Sequence, residues 1–317
     1  MNQRATIDDV AKLAGVSIAT VSRVISKSDR VRASTRAQVL QAIEDLHYQP
    51  DASARALASG RTYTVGCVIP TLDHSIFARA TQAMQTVLSD AGFQLLVGSS
   101  NYESNTELQV VRAFQQRGVD ALVLVGTDHA ASMWDAVTQW GKPVLLSWSC
   151  DPRLPSVGFD NVTIAKHMTE HLLSLGHERI AVVSGFTANN DRARSRIQGV
   201  RQALSAHGLR LPKELLIEQS YNLHGGRIAL QQLMQLDQPP TAIFCAMDLL
   251  AAGVLLEAQR LQIDVPRTLS VCGIDNHELA EVISPGLTTI SLPTYELGRI
   301  TAERVLSALS GEAIPSQ

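Results

Sequence analysis

At 317 residues, 45% of them hydrophobic and 18% charged, the chain is long and apolar enough for more than one globular core, and its composition excludes intrinsic disorder. No run of about 18 apolar residues is present and the opening residues, MNQRATIDDVAK, are polar, so neither a membrane span nor a secretory leader is expected and the chain reads as cytoplasmic. The net charge of −3 joins unlike parts: residues 1–62 carry nine Lys/Arg against six Asp/Glu, and the remainder 18 against 24, which points to a polyanionic partner for the head alone.

The first predicted helix lies in TIDDVAKLAG. Thr6 is its expected N-cap, and Asp8 and Asp9 sit where the helix dipole favours negative charge. Ile7, Val10, Ala11 and Ala14 form the inward stripe, and Gly15 supplies the backbone freedom that ends it. Ser17 is the expected cap of the next helix, IATVSRVI. There Val21, Val24 and Ile25 share one stripe, whereas Ile18, Ala19, Ser22 and Arg23 lie off it. Two short helices joined through a glycine turn make a helix-turn-helix, and an isoleucine on the outer face calls for a partner. A third helix is predicted from Thr35 to about Leu46, with Val39, Ile43 and Leu46 inward and Pro50 beyond its end. The segment PDASARALASG is rich in Ala and Ser and too short to hold a helix unaided.

From Thr64 the pattern becomes strand then helix. TVGCVIP, FQLLVGS, ALVLVG and PVLLSW are nearly all-apolar runs separated by stretches of helical period. After SVGFDN the alternation resumes with RIAVVSG, LLIEQS, TAIFCAM and LSVCGID. Strands buried on both faces and joined by helices predict doubly wound parallel sheets, and two successive sets predict two lobes. LTTISLP followed by TYELGRITAERVLSALSG is expected to cross back to the first lobe. The organisation is thus a head over 1–49, a hinge and linker over 50–62, and a body over 63–317. Within the body the first lobe covers about 63–160 with 292–317, and the second about 161–291.

Cys67, Cys150, Cys245 and Cys272 are scattered without a CxxC pair, and three lie in strand-like runs, the pattern of reduced structural cysteines. No phosphate-binding glycine loop, nucleophile elbow or HExxH is present, so no enzyme, cofactor or metal is expected. His167 and His171 of HMTEH have helical i, i+4 spacing but no third ligand, and read as a solvated helix face.

TIDDVAKLAGVSIATVSRVI closely resembles the head of the lactose/galactose repressor family. TRAQVLQAIEDLHYQPDASARALASG resembles that family's third helix and hinge, and SLGHERIAVVSG, RIQGVRQAL and VCGIDNHELAEVISPGLTTI resemble its body, in the expected order. The resemblance spans essentially the whole chain. It implies a small helix-turn-helix head on a periplasmic-binding-protein-like α/β body. It also implies a homodimer, with no membrane partner, that binds a pseudo-palindromic DNA operator and takes a small effector between its lobes. An apolar side chain near the start of a groove helix packs on a thymine methyl, and arginine bonds guanine. Ile18, Ala19 and Arg23 are therefore the expected readout residues, with Thr6, Ser17, Thr20 and Ser22 as cap, packing and phosphate contacts. In the hinge, Leu57 matches the leucine that the family wedges into the minor groove, with Ala54 and Arg55 beside it.

For the effector, the loop PTLDHSIF offers Leu72, Asp73 and Phe77. The segment SGFTANNDRARSRIQG offers Asn190, Arg192 and Arg196, and by resemblance Arg196 faces the acid Asp275, with Tyr221 as an aromatic wall and Asp160 at the crossover between lobes. Met247 stands where many members carry an asparagine, which argues against copying any relative's sugar. Clustered arginines suit an acid, and VGFDN and LLEAQRLQIDVP look somewhat like gluconate-type repressors, so a sugar or sugar acid such as gluconate is the expected effector. Its sign is open, since repression relieved by the effector and corepression both fit. The chain stops at GEAIPSQ where members usually run on into a strand and polar tail, so a shortened C-terminus is the expectation, and no heptad tail for tetramers is present. The rival reading is a two-lobed binding protein without specific DNA readout.

Overall fold

The structure, a computed structural model, describes residues 5–25, 31–49, 56 and 60–312. The chain divides into two units, Met1–Thr62 and Tyr63–Gln317.

The first unit holds α1 (Ile7–Leu13), α2 (Ile18–Ile25) and α3 (Ala33–Asp45). Thr6 and Asp9 cap α1 reciprocally: the Thr6 oxygen accepts from the Asp9 N–H at 3.3 Å, and the Asp9 carboxylate accepts from the Thr6 N–H at 2.9 Å. These bonds hold the Asp9 carboxyl below its ordinary pKa. Gly15 turns the chain at φ +62°, and Ser17 Oγ accepts from the Thr20 N–H at 3.2 Å to start α2. Helix α3 starts two residues earlier than Thr35, after an extended Arg32 that makes no side-chain cap. Its inward side is centred on Val39 and Ala42, with Ile43 and Leu46 half-buried beside them. The core is built from Val10, Ala11, Val21, Val24, Val39 and Ala42, side chains so small that the unit buries little apolar area.

The second unit is two lobes, each built on a five-stranded parallel sheet. The first contains β1 (Thr64–Ile69), α4 (Ser75–Asp90), β2 (Gln94–Ser99), α5 (Ser104–Gln116), β3 (Ala121–Val125), α6 (Ala131–Thr138), β4 (Val144–Trp148) and β5 (Ser156–Gly158), in spatial order β2-β1-β3-β4-β5. The second contains α7 (Asn161–Ser174), β6 (Ile180–Ser184), α8 (Asp191–Ala206), β7 (Leu216–Glu218), α9 (Leu223–Met234), β8 (Ala242–Cys245), α10 (Asp248–Arg260), β9 (Ser270–Asp275), α11 (Leu279–Val282) and β10 (Thr288–Ser291), in order β10-β9-β8-β6-β7. The expected doubly wound α/β class is the one observed, and each sheet carries an apolar cluster on both faces.

Two strands depart from the sequence reading. β2 is not buried on both faces: as the outermost strand it leaves Val97 36% exposed. β5, three residues long, adds an edge strand where the sequence showed only a boundary. Its Gly158 lies so close to Ser149 that a Cβ would stand 2.7 Å from that backbone, a space that admits glycine alone.

The chain passes between lobes after β5, entering α7, which packs on α8, and again after β10, entering α12 (Thr294–Leu309), which packs on α4. The close α12–α4 approach is set at Gly298, where a Cβ would meet the Ala80 carbonyl at 2.1 Å.

Candidate functional site

Two surfaces bring predicted residues together. On α2, Val21 and Val24 are buried while Ile18 is 47% exposed, with Ala19, Ser22 and Arg23 exposed on the same outer side. Thr20 is half-buried and its hydroxyl lies 2.9 Å from that of Ser17, so these two hydroxyls are tied into the helix start. The Thr6 hydroxyl donates to Asp9 at 2.7 Å and serves the cap of α1. Ala54, Arg55 and Leu57 lie outside the described residues.

The second surface is a cleft between the lobes with about 350 Å³ of unfilled space, part of it open to solvent. Its lining follows the carboxyl ends of parallel strands, where ligands bind in open α/β sheets. His74, Ile76 and Phe77 follow β1, Tyr102 follows β2 and Trp148 ends β4. From the second lobe come Asn190, Arg192 and Arg196 after β6, Tyr221 after β7, Met247 after β8, and Asp275 at the end of β9. Five of these side chains are rings. Phe77 and Trp148 meet edge to face at 4.9 Å, as do His74 and Tyr221 at 5.5 Å. Tyr221 packs against Gly185, where a Cβ would come within 2.1 Å of its ring. Tyr102, Trp148 and Asp275 hold φ of 61°, 73° and 121°, left-handed conformations that cost of order 1–3 kcal/mol each and collect where sites need fixed geometry.

The polar groups are held from behind. Arg196, 6% exposed, donates from Nε to Asn161 Oδ1 at 3.0 Å and from a terminal nitrogen to the Ala246 carbonyl. Arg192 donates to Asp191 at 2.8 Å and to the Tyr102 hydroxyl, whose pKa burial pushes up to about 12 against the pull of Arg192. Asp275 is 6% exposed and its Oδ1 has no hydrogen-bond partner among the described residues. Burial lifts its pKa to about 8, with Arg196 opposing and Asp248 reinforcing the rise. Asp248 behind it accepts from the Thr289 hydroxyl at 2.6 Å and the His277 N–H at 2.8 Å, yet burial still holds it above the ordinary carboxylate value.

Residues at the start of α8 also tie the lobes together directly. Asn189 donates to the Tyr102 carbonyl at 3.0 Å, the Thr127 hydroxyl donates to Asp191 at 3.1 Å, and Arg194 pairs with Asp128 at 2.7 Å. Burial would raise the Asp191 pKa, but Arg192 and the hydroxyls of Ser149 and Thr127 outweigh it and bring the value down.

The structure therefore joins Phe77, Asn190, Arg192, Arg196, Tyr221, Met247 and Asp275 in one cleft and puts Asp73 on its rim. Two expected residues lie outside that lining. Leu72 is 66% exposed on the loop, because Phe77, in the first turn of α4, fills the inward position. Asp160 is the N-cap of α7, accepting from the Val162 and Thr163 N–H groups at 3.1 and 3.0 Å, so its carboxylate serves the helix start. His74, Ile76, Tyr102, Trp148 and the bridging Asp191 escaped sequence reasoning. All of them follow or end strands, so the strand-end rule applied to every strand would have found them. His167 and His171 are exposed on α7.

Residues 6–51 match the family described as bacterial regulatory proteins, lacI family, and residues 169–317 match the periplasmic binding protein-like domain. Catabolite control protein A of Priestia megaterium is 31% identical over 313 residues, covering 98% of this chain and 94% of that protein. A lac repressor dimer solved with operator and the anti-inducer ONPF aligns with a TM-score of 0.88 at 26% identity, over 98% of this chain and 94% of the other. A complex of the transcriptional regulator CelR with cellobiose aligns with a TM-score of 0.72 at 27% identity, over 98% and 94% of the two chains.

Proposed function

The chain belongs to the lacI family of bacterial regulatory proteins and is a DNA-binding transcriptional regulator, and on that premise we propose a homodimeric cytoplasmic repressor that reads a pseudo-palindromic operator and answers to a sugar or sugar acid, gluconate first among the candidates. Among the described residues no helix is long and apolar enough to cross a membrane.

The observation that carries the DNA reading is the exposure of Ile18 and Ala19 beside Arg23, over a stripe of buried valines. An isoleucine offered outward at the start of a helix finds its complement in a thymine methyl, and a neighbouring guanidinium finds guanine O6 and N7. Two such helices on a dimer would meet half-sites about one helical turn apart, the hinge segments with Leu57, Ala54 and Arg55 meeting the minor groove between them.

The effector reading rests on the ring-walled cleft, where a buried guanidinium and a buried carboxyl face the same space. A ligand that contacts both lobes favours one relative arrangement of them, and a difference of about 1–3 kcal/mol between arrangements suffices to couple it to DNA. The bonds from Asn189, Asp191 and Arg194 to the first lobe support closure as one of those arrangements.

Selection of random duplexes on the intact protein tests the head: a two-fold symmetric site is expected, and recovery of no preferred sequence removes the reading. Thermal shift against sugars and sugar acids tests the cleft, because a ligand specific to the folded state raises Tm by mass action. Arg196→Ala should remove that shift.

A further inference from the structure

We propose that the cleft selects an organic acid over a neutral sugar, the ligand carboxylate being held between the Arg196 guanidinium and the un-ionised carboxyl of Asp275. This rests on the reading of the cleft as the effector site and narrows it to one charge class.

Charge complementarity argues for it. Of the three arginines at the start of α8, Arg192 is neutralised by Asp191 at 2.8 Å and Arg194 by Asp128 at 2.7 Å. Arg196 is bonded only to neutral groups, the Asn161 amide and the Ala246 carbonyl, and forms no ion pair with any described residue. A buried cation without a counter-ion is costly, and a ligand anion relieves that cost.

Arg196 lacks a counter-ion only while Asp275, the carboxyl that faces the same space, is un-ionised. The Asp275 Oδ1 is buried with no donor among the described residues, so as a carboxylate it is an acceptor left unsatisfied, and as an acid it carries its own donor. Around it stand Arg196 and Arg192 from α8, Asp248 from α10, Asp73 and His74 from the loop after β1, Tyr102 after β2, Tyr221 after β7, and His277 after β9. Asp248 and burial both favour the acid form, consistent with a pKa of about 8. Burial holds the His74 imidazole below its ordinary value, so it stays uncharged between pH 7 and 9. An acid donor beside a fixed guanidinium is the complement of a carboxylate. A neutral sugar brings hydroxyl donors, which an ionised Asp275 accepts better.

The two ligand classes therefore respond oppositely to pH. A bound carboxylate raises the Asp275 pKa further and takes up a proton above pH 8, so its affinity falls about tenfold from pH 7 to 9. A neutral sugar gains affinity over the same range.

The test uses the full-length protein and matched pairs of probes: gluconate with sorbitol, galactonate with galactitol, and glucuronate with glucose. Thermal shift ranks them, and calorimetry at pH 7, 8 and 9 in buffers of differing ionisation enthalpy follows affinity and proton uptake. The expected result is an acid that binds while its neutral partner does not, with affinity falling as pH rises. In Asp275→Asn, whose amide keeps a donor but cannot ionise, the fall in acid affinity between pH 7 and 9 should disappear. A neutral probe that binds while its acid partner does not, with binding lost in Arg196→Ala, overturns the charge assignment but leaves the effector cleft standing. An acid that binds equally well to Arg196→Ala overturns the cleft itself. A panel in which no acid binds, or an acid whose affinity is flat to pH 9, also overturns the proposal.

Discussion

Arg194 and Asp128 form a 2.7 Å ion pair that joins the two lobes, Arg194 from the first turn of α8 and Asp128 from the loop after β3. Both side chains are substantially exposed, so the pair contributes at most about 1 kcal/mol and is screened by salt. Arg194→Ala should change effector affinity by less than about fivefold, an effect that fades as ionic strength rises. Asp191→Ala is a different perturbation, because it removes the counter-ion of the buried Arg192 together with the Thr127 bond. It should cost about 3 kcal/mol of stability, read from denaturant unfolding. Equal effects of the two variants would show that burial does not separate them.

Arg23→Ala should weaken operator binding by about 1–3 kcal/mol and relax preference at one base position, whereas Ile18→Ala should lose preference at a thymine with a smaller salt-dependent change. Binding titrations against singly substituted operators distinguish base readout from a uniform loss of phosphate contacts.

Asp275 makes stability depend on pH in a defined direction. Its folded pKa is raised to about 8 from the ordinary aspartate value of 3.8, so the folded state holds a proton that the unfolded chain releases. Its contribution is present in full below about pH 4 and is lost as pH rises toward 8. Asp275→Asn, which cannot ionise, should therefore have a higher Tm than the parent at pH 7. That advantage should grow with pH by up to about 1.4 kcal/mol per unit and level off above 8. Paired melting curves from pH 5 to 9 check it, and parallel curves would mean that Asp275 ionises normally in the folded protein.

Gly185→Ala tests the aromatic wall from behind. The new methyl would stand 2.1 Å from the Tyr221 ring, so Tyr221 must leave its place. Effector affinity should fall roughly tenfold or more while operator affinity measured without effector stays near the parent value. Unchanged effector affinity would remove Tyr221 from the ligand contacts.

The alternation of strands and helices is legible in the sequence because parallel strands covered on both faces are unbroken apolar runs, as in Ala121–Val125 and Ile180–Ser184. Ser156–Gly158 is not legible, since three residues, one of them glycine, carry no period. On α2 the split between Val21 and Ile18 can be read from helical spacing alone, but what faces Ile18 cannot. Arg196 and Asp275 came through resemblance, as an arginine within a charged run and an aspartate ending a strand have no local signature. His74, Tyr102 and Trp148 lie at strand ends, where burial is decided by the opposite lobe and not by neighbours in sequence. Asp160 misled for the converse reason: its place at the crossover suggested the cleft, while its local pattern, an acid just before a helix, already described a cap.

Helix α12 carries Leu297, Ala302 and Val305 into the same apolar cluster as Val65, Phe77 and Ala80. The lobe that begins at the start of the body thus lacks part of its own interior until the ribosome has made the entire second lobe and gone on to Leu309. During synthesis the later lobe can close first, and the earlier one waits with bare hydrocarbon in need of a chaperone or of speed. A protease nick between β10 and α12 would accordingly injure the half of the body that lies farthest from the cut along the chain.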